Sequence, residues 1–498
     1  MQNDAAILII LSGTVLISVF LIILATKRNW IEIWLCRKIL HVIAIGACAV
    51  APVLLEELLA LKIIVAVVIP VLFFVVKKDL ILPENAGTRS YGIPLFALAY
   101  LILLLIFTEN RLLIFSAMAA LAVCDAMAAI AGNLIPFKAY TLTGDKKTIS
   151  GSICFFLSFL LLFALIRKVF PGFLTQVPDE KFWAALPLFA LILTLLEALG
   201  RKGWDNFLIP LVASALFWRL DHASYYIKYD EIMFWYAAAF VALIFCIITI
   251  RLKFLSANGG VMASLIGAWI VIIAHYYFLF PLMYYFISSV LIGKISGRKS
   301  KASDEKQGKP RDWVQVWSNG GLYAILMISF RTMDDPGPMM PGFSLICGIP
   351  VCVAVADTWA SEIGSRFKGK VIDIVKCKPV NAGISGGISL VGTISGLTSA
   401  ILFAGLFVYF NPLMGSFELW WFHFVVLSLA GFSGMLIDSV LGSLFQAKYR
   451  KADGNLSDHA TESGALVSGY QWMTNDMVNQ LSILITFILS LLVLGLFK

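Results

Sequence analysis

Three carboxylates, Asp125, Glu197 and Asp205, fall in separate apolar stretches of the first half of the chain, with the amide of Asn206 beside the last. Oxygen donors of this kind suit Mg2+, which keeps several waters and is usually held by one or two carboxylates together with substrate phosphates. The second half offers the same chemistry through Asp357, Glu362, Asp438 and Asp476, with Asn475 and Asn479 beside them. Any one Asp or Asn has a plainer use as a helix cap or interhelical hydrogen-bond partner; the joint placement favours metal. Gly144-Asp145-Lys146-Lys147-Thr148-Ile149-Ser150-Gly151-Ser152 runs straight into an apolar segment. Its glycines let backbone N–H groups approach phosphate, Ser and Thr add donors, the helix N-terminus favours anions, and the two lysines neutralise charge. Asn381 to Ser389, containing Ser385, Gly386 and Gly387, is the lysine-free counterpart. Neither is a Walker loop, because no G-x4-G-K-[ST] occurs, and a plain interfacial turn is the simpler alternative for both. Arg37, Lys38 and His41 share one helical face, as part of a site or as a snorkelling interfacial anchor.

These residues are positioned by a chain that no soluble fold accommodates. Of its 498 residues, 60% are apolar or aromatic and 14% charged, with a mean hydropathy of +0.90, whereas soluble domains run at about 45–50% and about 25%. Splitting the sequence at charged or Pro/Gly-rich loops gives about 16 apolar segments, beginning near residues 5, 39, 58, 92, 112, 153, 182, 206, 231, 258, 279, 316, 343, 387, 420 and 480. The expected fold is therefore all-α: a polytopic integral membrane protein whose segments are transmembrane helices. The first segment follows Asp4, precedes Lys27-Arg28 and lacks a basic leader region, which fits a retained anchor with its N-terminus outside. Alternating sides from there places most of the 38 Lys and Arg in cytoplasmic loops, as the positive-inside rule asks. The net charge of +8 is then a matter of topology, and no nucleic-acid partner is expected. Gly293 to Asp312, the longest polar stretch, falls inside as a solvated basic loop. The eight cysteines have no metal-ligand spacing and read as small buried hydrophobes. His222, His275, His423 and His459 are scattered and receive no chemistry; neither a Ser-His-Asp order nor H-E-x-x-H is present.

The halves repeat. Asp125 is followed seven residues later by Gly132, and Asp357 seven later by Gly364. Ile149 to Ile153 (ISGSI) pairs with Ile384 to Ile388 (ISGGI), and Asp205-Asn206, downstream of Glu197, with Asn475-Asp476, downstream of Asp438. Three matches in one order, each eight segments apart, indicate duplication, and an even spacing makes the repeats parallel. The expected domains are residues 1–250 and 251–498. Alternation sets all these motifs at cytoplasmic helix ends, where ionisable groups are rare unless paired or functional.

These motifs carry a resemblance to two families. The first half, from about Arg37 to Pro210, resembles the CTP-dependent polyprenol kinases, meaning dolichol kinase and especially phytol kinase. The matching elements are R-K-x-x-H (Arg37, Lys38, His41), R-S-Y-G (Arg89 to Gly92), D-x-x-A-x-x-x-G (Asp125, Ala128, Gly132), K-K-T-x-x-G-S (Lys146, Lys147, Thr148, Gly151, Ser152) and E-x7-D-N-x3-P (Glu197, Asp205, Asn206, Pro210). Ser150 stands where that family usually has Glu. The second half, from about Leu252, is similar to the family that contains plant phytyl-phosphate kinase. The match runs through R-x3-Q-V-x-x-N-G-G (Arg311, Gln315, Asn319), A-D-T-W-A-x-E-I-G (Asp357, Glu362), G-x-S-G-G-x-S-x-x-G-T (Ser385, Gly386, Gly387, Ser389), D-S-x-L-G-x3-Q (Asp438, Gln446) and N-D-x-V-N (Asn475, Asp476, Asn479).

The two resemblances imply consecutive kinases in one chain, in a bacterial cytoplasmic membrane with their sites on the cytoplasmic side. A prenyl alcohol of phytol or geranylgeraniol type would become its monophosphate in the first half, and the monophosphate its diphosphate in the second. CTP or another nucleoside triphosphate is the implied donor and Mg2+ the cofactor. An alcohol must lose a proton on attack, so the first half needs a base or a metal-bound alkoxide, with Asp125 or His41 as candidates. A phosphomonoester, with a second pKa of about 6, is already ionised and needs a cation instead, which Arg311 or Arg366 supplies. Arg37, Lys38, Lys146, Lys147, Thr148, Gly151, Ser152, Gln315, Asn319, Ser385, Gly386, Gly387 and Ser389 are the expected nucleotide and phosphate contacts. Three alternatives stand beside this reading: a transporter, since parallel repeats with intramembrane charge describe that class too; a CDP-lipid-forming cytidylyltransferase, which would release pyrophosphate; and a chain with one half degenerate.

Overall fold

The computed structural model describes residues 2–28, 30–77, 91–223, 229–274, 276–295, 310–331, 340–367, 369–411, 417–450, 456–458 and 465–496. Arg89, Ser90, His275, His459, the side chain of His222 and most of the basic loop, 296–309, lie outside the described residues.

Sixteen α-helices lie among the described residues. The first eight are α1 (Gln2–Lys27), α2 (Ile33–Leu54), α3 (Leu59–Lys77), α4 (Gly92–Ile106), α5 (Arg111–Leu134), α6 (Ile149–Val169), α7 (Asp179–Leu199) and α8 (Asp205–Ala223). The others are α9 (Tyr229–Arg251), α10 (Ala257–Ile273), α11 (Phe280–Ile295), α12 (Trp313–Arg331), α13 (Met340–Gly364), α14 (Leu390–Phe410), α15 (Phe417–Leu444) and α16 (Asn475–Leu496). The protein is a helical integral membrane protein, and the expected count of sixteen crossings is not confirmed. Twelve are long and apolar enough to cross a bilayer. Helices α4 and α10 are apolar but short, α8 carries Asp205, Arg219 and Asp221, and α12 is interrupted by Gln315, Ser318 and Asn319. Several starts are fixed by side-chain caps: Asn110, Thr148, Ser256 and Ser389 each accept a hydrogen bond from the backbone N–H three residues on.

The chain forms two compact units, 1–237 and 238–498, with the division inside α9. Burial identifies the central helix of each. In α5 and α13, 72% and 67% of the apolar stretch is buried, against 6% in α1 and α3, whose apolar side chains face outward; α7 is as buried as α13, but α5 packs on more of the first unit's helices. Within the first unit α5 packs on α2, α6 and α8; within the second, α13 packs on α11, α12, α14, α15 and α16.

Glycine sets how closely these central helices meet their successors. A Cβ on Gly151 of α6 would lie 2.9 Å from the Ala128 carbonyl oxygen of α5, and one on Gly132 would lie 2.7 Å from Thr148 Oγ1. A Cβ on Gly392 of α14 would lie 2.9 Å from the Ala360 carbonyl oxygen of α13, and one on Gly364 would lie 3.0 Å from the Gly392 Cα. The D-x-x-A-x-x-x-G spacing is thus a packing surface as well as an acid. Gly392→Val is expected to destabilise the protein by about 1–3 kcal/mol through overpacking, read as a lower thermal midpoint in detergent; an unchanged midpoint would contradict this contact.

This geometry also corrects the repeat register. Thr148 corresponds to Ser389 and Gly151 to Gly392, because each pair caps and seats the helix after the central one. The ISGSI and ISGGI matches are out of step: 149–153 is the first turn of α6, whereas 384–388 leads into a strand before α14. Short β-ribbons, unforeseen in an all-α chain, precede both helices. β1 (Ala139–Thr141) pairs antiparallel with β2 (Lys146–Thr148), and β3 (Ile372–Asp373) with β4 (Gly387–Ile388). A three-stranded sheet of β5 (Lys448–Arg450), β6 (Leu456–Ser457) and β7 (Ala465–Ser468) follows α15.

Candidate functional site

In the first unit α2 brings Lys38 and His41 to Asp125 on α5. Lys38 Nζ lies 2.7 Å and His41 Nε2 3.3 Å from Asp125 Oδ2, and His41 Nε2 is also 3.3 Å from the Leu121 carbonyl oxygen. Two acceptors around Nε2 place the proton there and leave Nδ1 as an acceptor. A second cluster is built from the β1–β2 ribbon. The buried Thr143 hydroxyl donates to the Leu199 carbonyl (3.1 Å), fastening the ribbon to the end of α7. Lys147 then forms an ion pair with Glu197 and lies 3.5 Å from Asp205 Oδ2. Gly200 has no side chain because Asp205 fills the space: a Cβ there would lie 2.6 Å from Asp205 Cβ. Burial disfavours the charge of Lys147, but Glu197 and Asp205 outweigh it and hold its pKa above the ordinary lysine value.

Three sequence expectations change here. Asp125, Glu197 and Asp205 do not form one bare acidic cluster; Lys38, His41 and Lys147 interleave with them, since buried carboxylates need counter-charge. The lysines assigned to phosphate are not a pair either. Adjacent strand residues face opposite ways, so Lys147 turns inward while Lys146 is exposed. The Gly151 N–H is not offered to an anion, because Thr148 Oγ1 takes it at 3.1 Å. Ser152 Oγ meets the Tyr140 hydroxyl at 2.6 Å, Asn206 donates its backbone N–H to Asp205 Oδ1 (3.1 Å), and Arg37 is exposed.

The second unit contains a cavity of about 380 Å3, and every candidate of that half lines it: Arg311, Gln315, Asn319, Asp357, Glu362, Ser385, Gly386, Gly387, Ser389, Asp438, Asn475, Asp476 and Asn479. Arg366 and Lys294 line it as well. Arg311 is held by a hydrogen bond to Ser289 Oγ (2.7 Å) and stacks over Tyr285, 5.9 Å from the ring centre. Its carbonyl accepts from the Ser256 N–H at 2.9 Å, an approach that requires Gly259, where a Cβ would meet that oxygen at 2.2 Å. Asn319 donates to the Gln315 carbonyl of its own helix (2.8 Å). Asp438 Oδ2 accepts from Ser482 Oγ (3.1 Å) and, with the amide of Asn479 turned to satisfy its neighbours, from that nitrogen (3.2 Å). Asn479 therefore presents nitrogen to Asp438, a departure from its expected role as an oxygen ligand at that point. Two N–H groups of the Gly-Ser loop are also taken: Ser385 donates to Asp458 (2.8 Å) and Gly387 to the Ile384 carbonyl (3.1 Å).

Among the described residues no three His, Cys, Asp or Glu side chains converge closely enough to hold a metal by themselves. Mg2+ asks for less, one or two carboxylates plus substrate phosphate. Asp357 and Asp438 both face the cavity, and among the described residues neither forms an ion pair with Lys, Arg or His. In the first unit the Lys147 ammonium stands as a cation between two carboxylates. Both donor sets are oxygen and fit a hard cation.

The helices define an integral multi-pass membrane protein. Residues 240–487, nearly all of the second unit, match the family described as integral membrane protein DUF92. The chain is 28% identical to Protein PGR of Arabidopsis thaliana over 255 residues, covering 48% of this chain and 88% of that one. It is 29% identical to an uncharacterized membrane protein of Methanocaldococcus jannaschii, over 41% of this chain and 82% of the other. It is 26% identical to the chloroplastic Protein VTE6 of Arabidopsis thaliana, over 28% of this chain and 35% of that one. No solved structure matches.

Proposed function

We propose that this chain is a membrane isoprenoid-alcohol kinase and an isoprenyl-phosphate kinase in one, drawing on a nucleoside triphosphate, CTP by resemblance, and on Mg2+. The observation that carries the reading is the second-unit cavity, in which acids, cations and a Gly-Ser loop from segments distant in sequence face one space. When bound, Mg2+ would neutralise charge on the transferring phosphoryl group, held by Asp205 and Glu197 in the first unit and by Asp357 and Asp438 in the second.

In the first unit the prenyl hydroxyl oxygen bonds to the γ-phosphorus as the bond to the β,γ-bridging oxygen breaks and the nucleoside diphosphate leaves. The hydroxyl proton passes to Nδ1 of His41, which Asp125 orients through Nε2. In the second unit a monophosphate oxygen attacks and no base is required. Arg311, fixed by Ser289 and Tyr285, offsets the repulsion between the two phosphates. Arg311→Gln is expected to raise KM for the prenyl monophosphate about tenfold to a hundredfold, the worth of one charge-assisted hydrogen bond, with alcohol phosphorylation unchanged; equal losses in both reactions would contradict this assignment.

The reading is tested by giving purified protein in detergent, with Mg2+, a panel of nucleoside triphosphates against geranylgeraniol, phytol, farnesol and their monophosphates, with lipid products read by mass. Mono- and diphosphates are expected. Conversion of alcohol to monophosphate alone would reduce the second unit to a non-catalytic role.

A further inference from the structure

The cavity wall holds one polar group that the reading above leaves unused. Gln446, just past the end of α15, is 1% exposed and lines the cavity. Its Oε1 accepts from Ser385 Oγ at 2.6 Å, while its Nε2 has no hydrogen-bond partner among the described residues. Buried amide nitrogens are nearly always satisfied, so an orphan in a side chain that lines a polar cavity points to a donor whose acceptor arrives with a ligand.

The backbone around Gln446 is arranged for this contact. Gly442 and Gly386 let the Ser385–Gly387 loop seat against the last turns of α15: a Cβ on Gly442 would lie 2.1 Å from Ser385 Oγ, and one on Gly386, at φ +88°, 2.5 Å from Ser443 Cβ. Gln446 lies eight residues beyond Asp438, and both line the same cavity. The loop contains no lysine and two of its N–H groups are already bonded, so side-chain donors add to what little its backbone offers an anion. The start of α14 adds the partial positive charge of a helix N-terminus, and Lys294, Arg311 and Arg366 line the same space.

Resting on the kinase reading, we infer that Gln446 is a binding residue whose carboxamide N–H donates to a phosphoryl oxygen of the ligand, the Ser385 hydroxyl fixing the amide's orientation. The oxygen belongs either to the nucleoside triphosphate or to the prenyl monophosphate, so both are titrated.

The experiment measures dissociation constants of CTP with Mg2+, and separately of geranylgeranyl monophosphate, for the full-length protein in detergent and for Gln446→Met, Ser385→Ala and the double variant. Thermal midpoints confirm folding. If the N–H touches the ligand, Gln446→Met weakens one of the two ligands about tenfold more than Ser385→Ala does, and the arm that weakens names the source. If Gln446 only holds the loop, the two single variants and the double variant weaken binding equally, and the inference falls while the kinase reading stands. Wild-type protein that binds neither phosphorylated ligand overturns both.

Discussion

Asp125→Asn is expected to slow phosphorylation of the prenyl alcohol by about a thousandfold, within the range of a lost acid–base device, while phosphorylation of the prenyl monophosphate stays near wild type. Asp125 accepts Lys38 and faces His41. The amide keeps the volume but removes the charge that balances Lys38 and orients the imidazole. Asp357→Asn is expected to give the reverse pattern, because Asp357 lines the second-unit cavity and none of that cavity's lining residues is assigned to the alcohol step. Rates for the two substrates, measured separately on variants that elute and melt like wild type, decide it. Loss of both reactions from either substitution would end the two-site account.

The second large effect concerns stability. Lys147 is the cation that faces both Glu197 and Asp205, and the side chains of Lys147 and Glu197 are 18% and 6% exposed. Lys147→Met leaves two carboxylates without their counter-charge, and breaking a buried pair in this way costs about 3–5 kcal/mol. A clear drop in thermal midpoint in detergent is expected. Glu197→Gln in the same chain removes one of the stranded charges and should recover much of the loss, although this double variant does not phosphorylate the alcohol. A Lys147→Met midpoint equal to wild type would show that the pair contributes nothing to the fold.

The helices were legible because hydropathy alone marks them: sixteen apolar segments correspond to sixteen helices. How many of them cross was less legible, since α8 and α12 carry charged or amide side chains inside runs counted as apolar. The acids and loops of the second site were legible from residue type and order, and the cavity gathers them. Their partners were not. Nothing in the spacing of Lys147 and Glu197 says that Thr143 will fasten the ribbon across α7, and the β1–β2 ribbon is too short and polar for a strand pattern to register. Within the Gly-Ser motifs, Gly151 and Gly392 have another use: close helix packing and helix capping require them, and these ask for the same residue types as an anion cradle. Gln446 carried a signal only as the last letter of a motif, because a lone Gln has no chemistry until its burial and orphaned nitrogen are known.

The most direct test of the central claim is the fate of CTP. Purified protein given CTP, Mg2+ and a prenyl alcohol should release CDP, one molecule for each phosphate gained by the lipid, so that lipid diphosphate accumulates with twice its amount of CDP. Pyrophosphate with a CDP-lipid would identify a cytidylyltransferase, and intact nucleotide with unmodified alcohol and monophosphate would contradict the kinase account and favour transport.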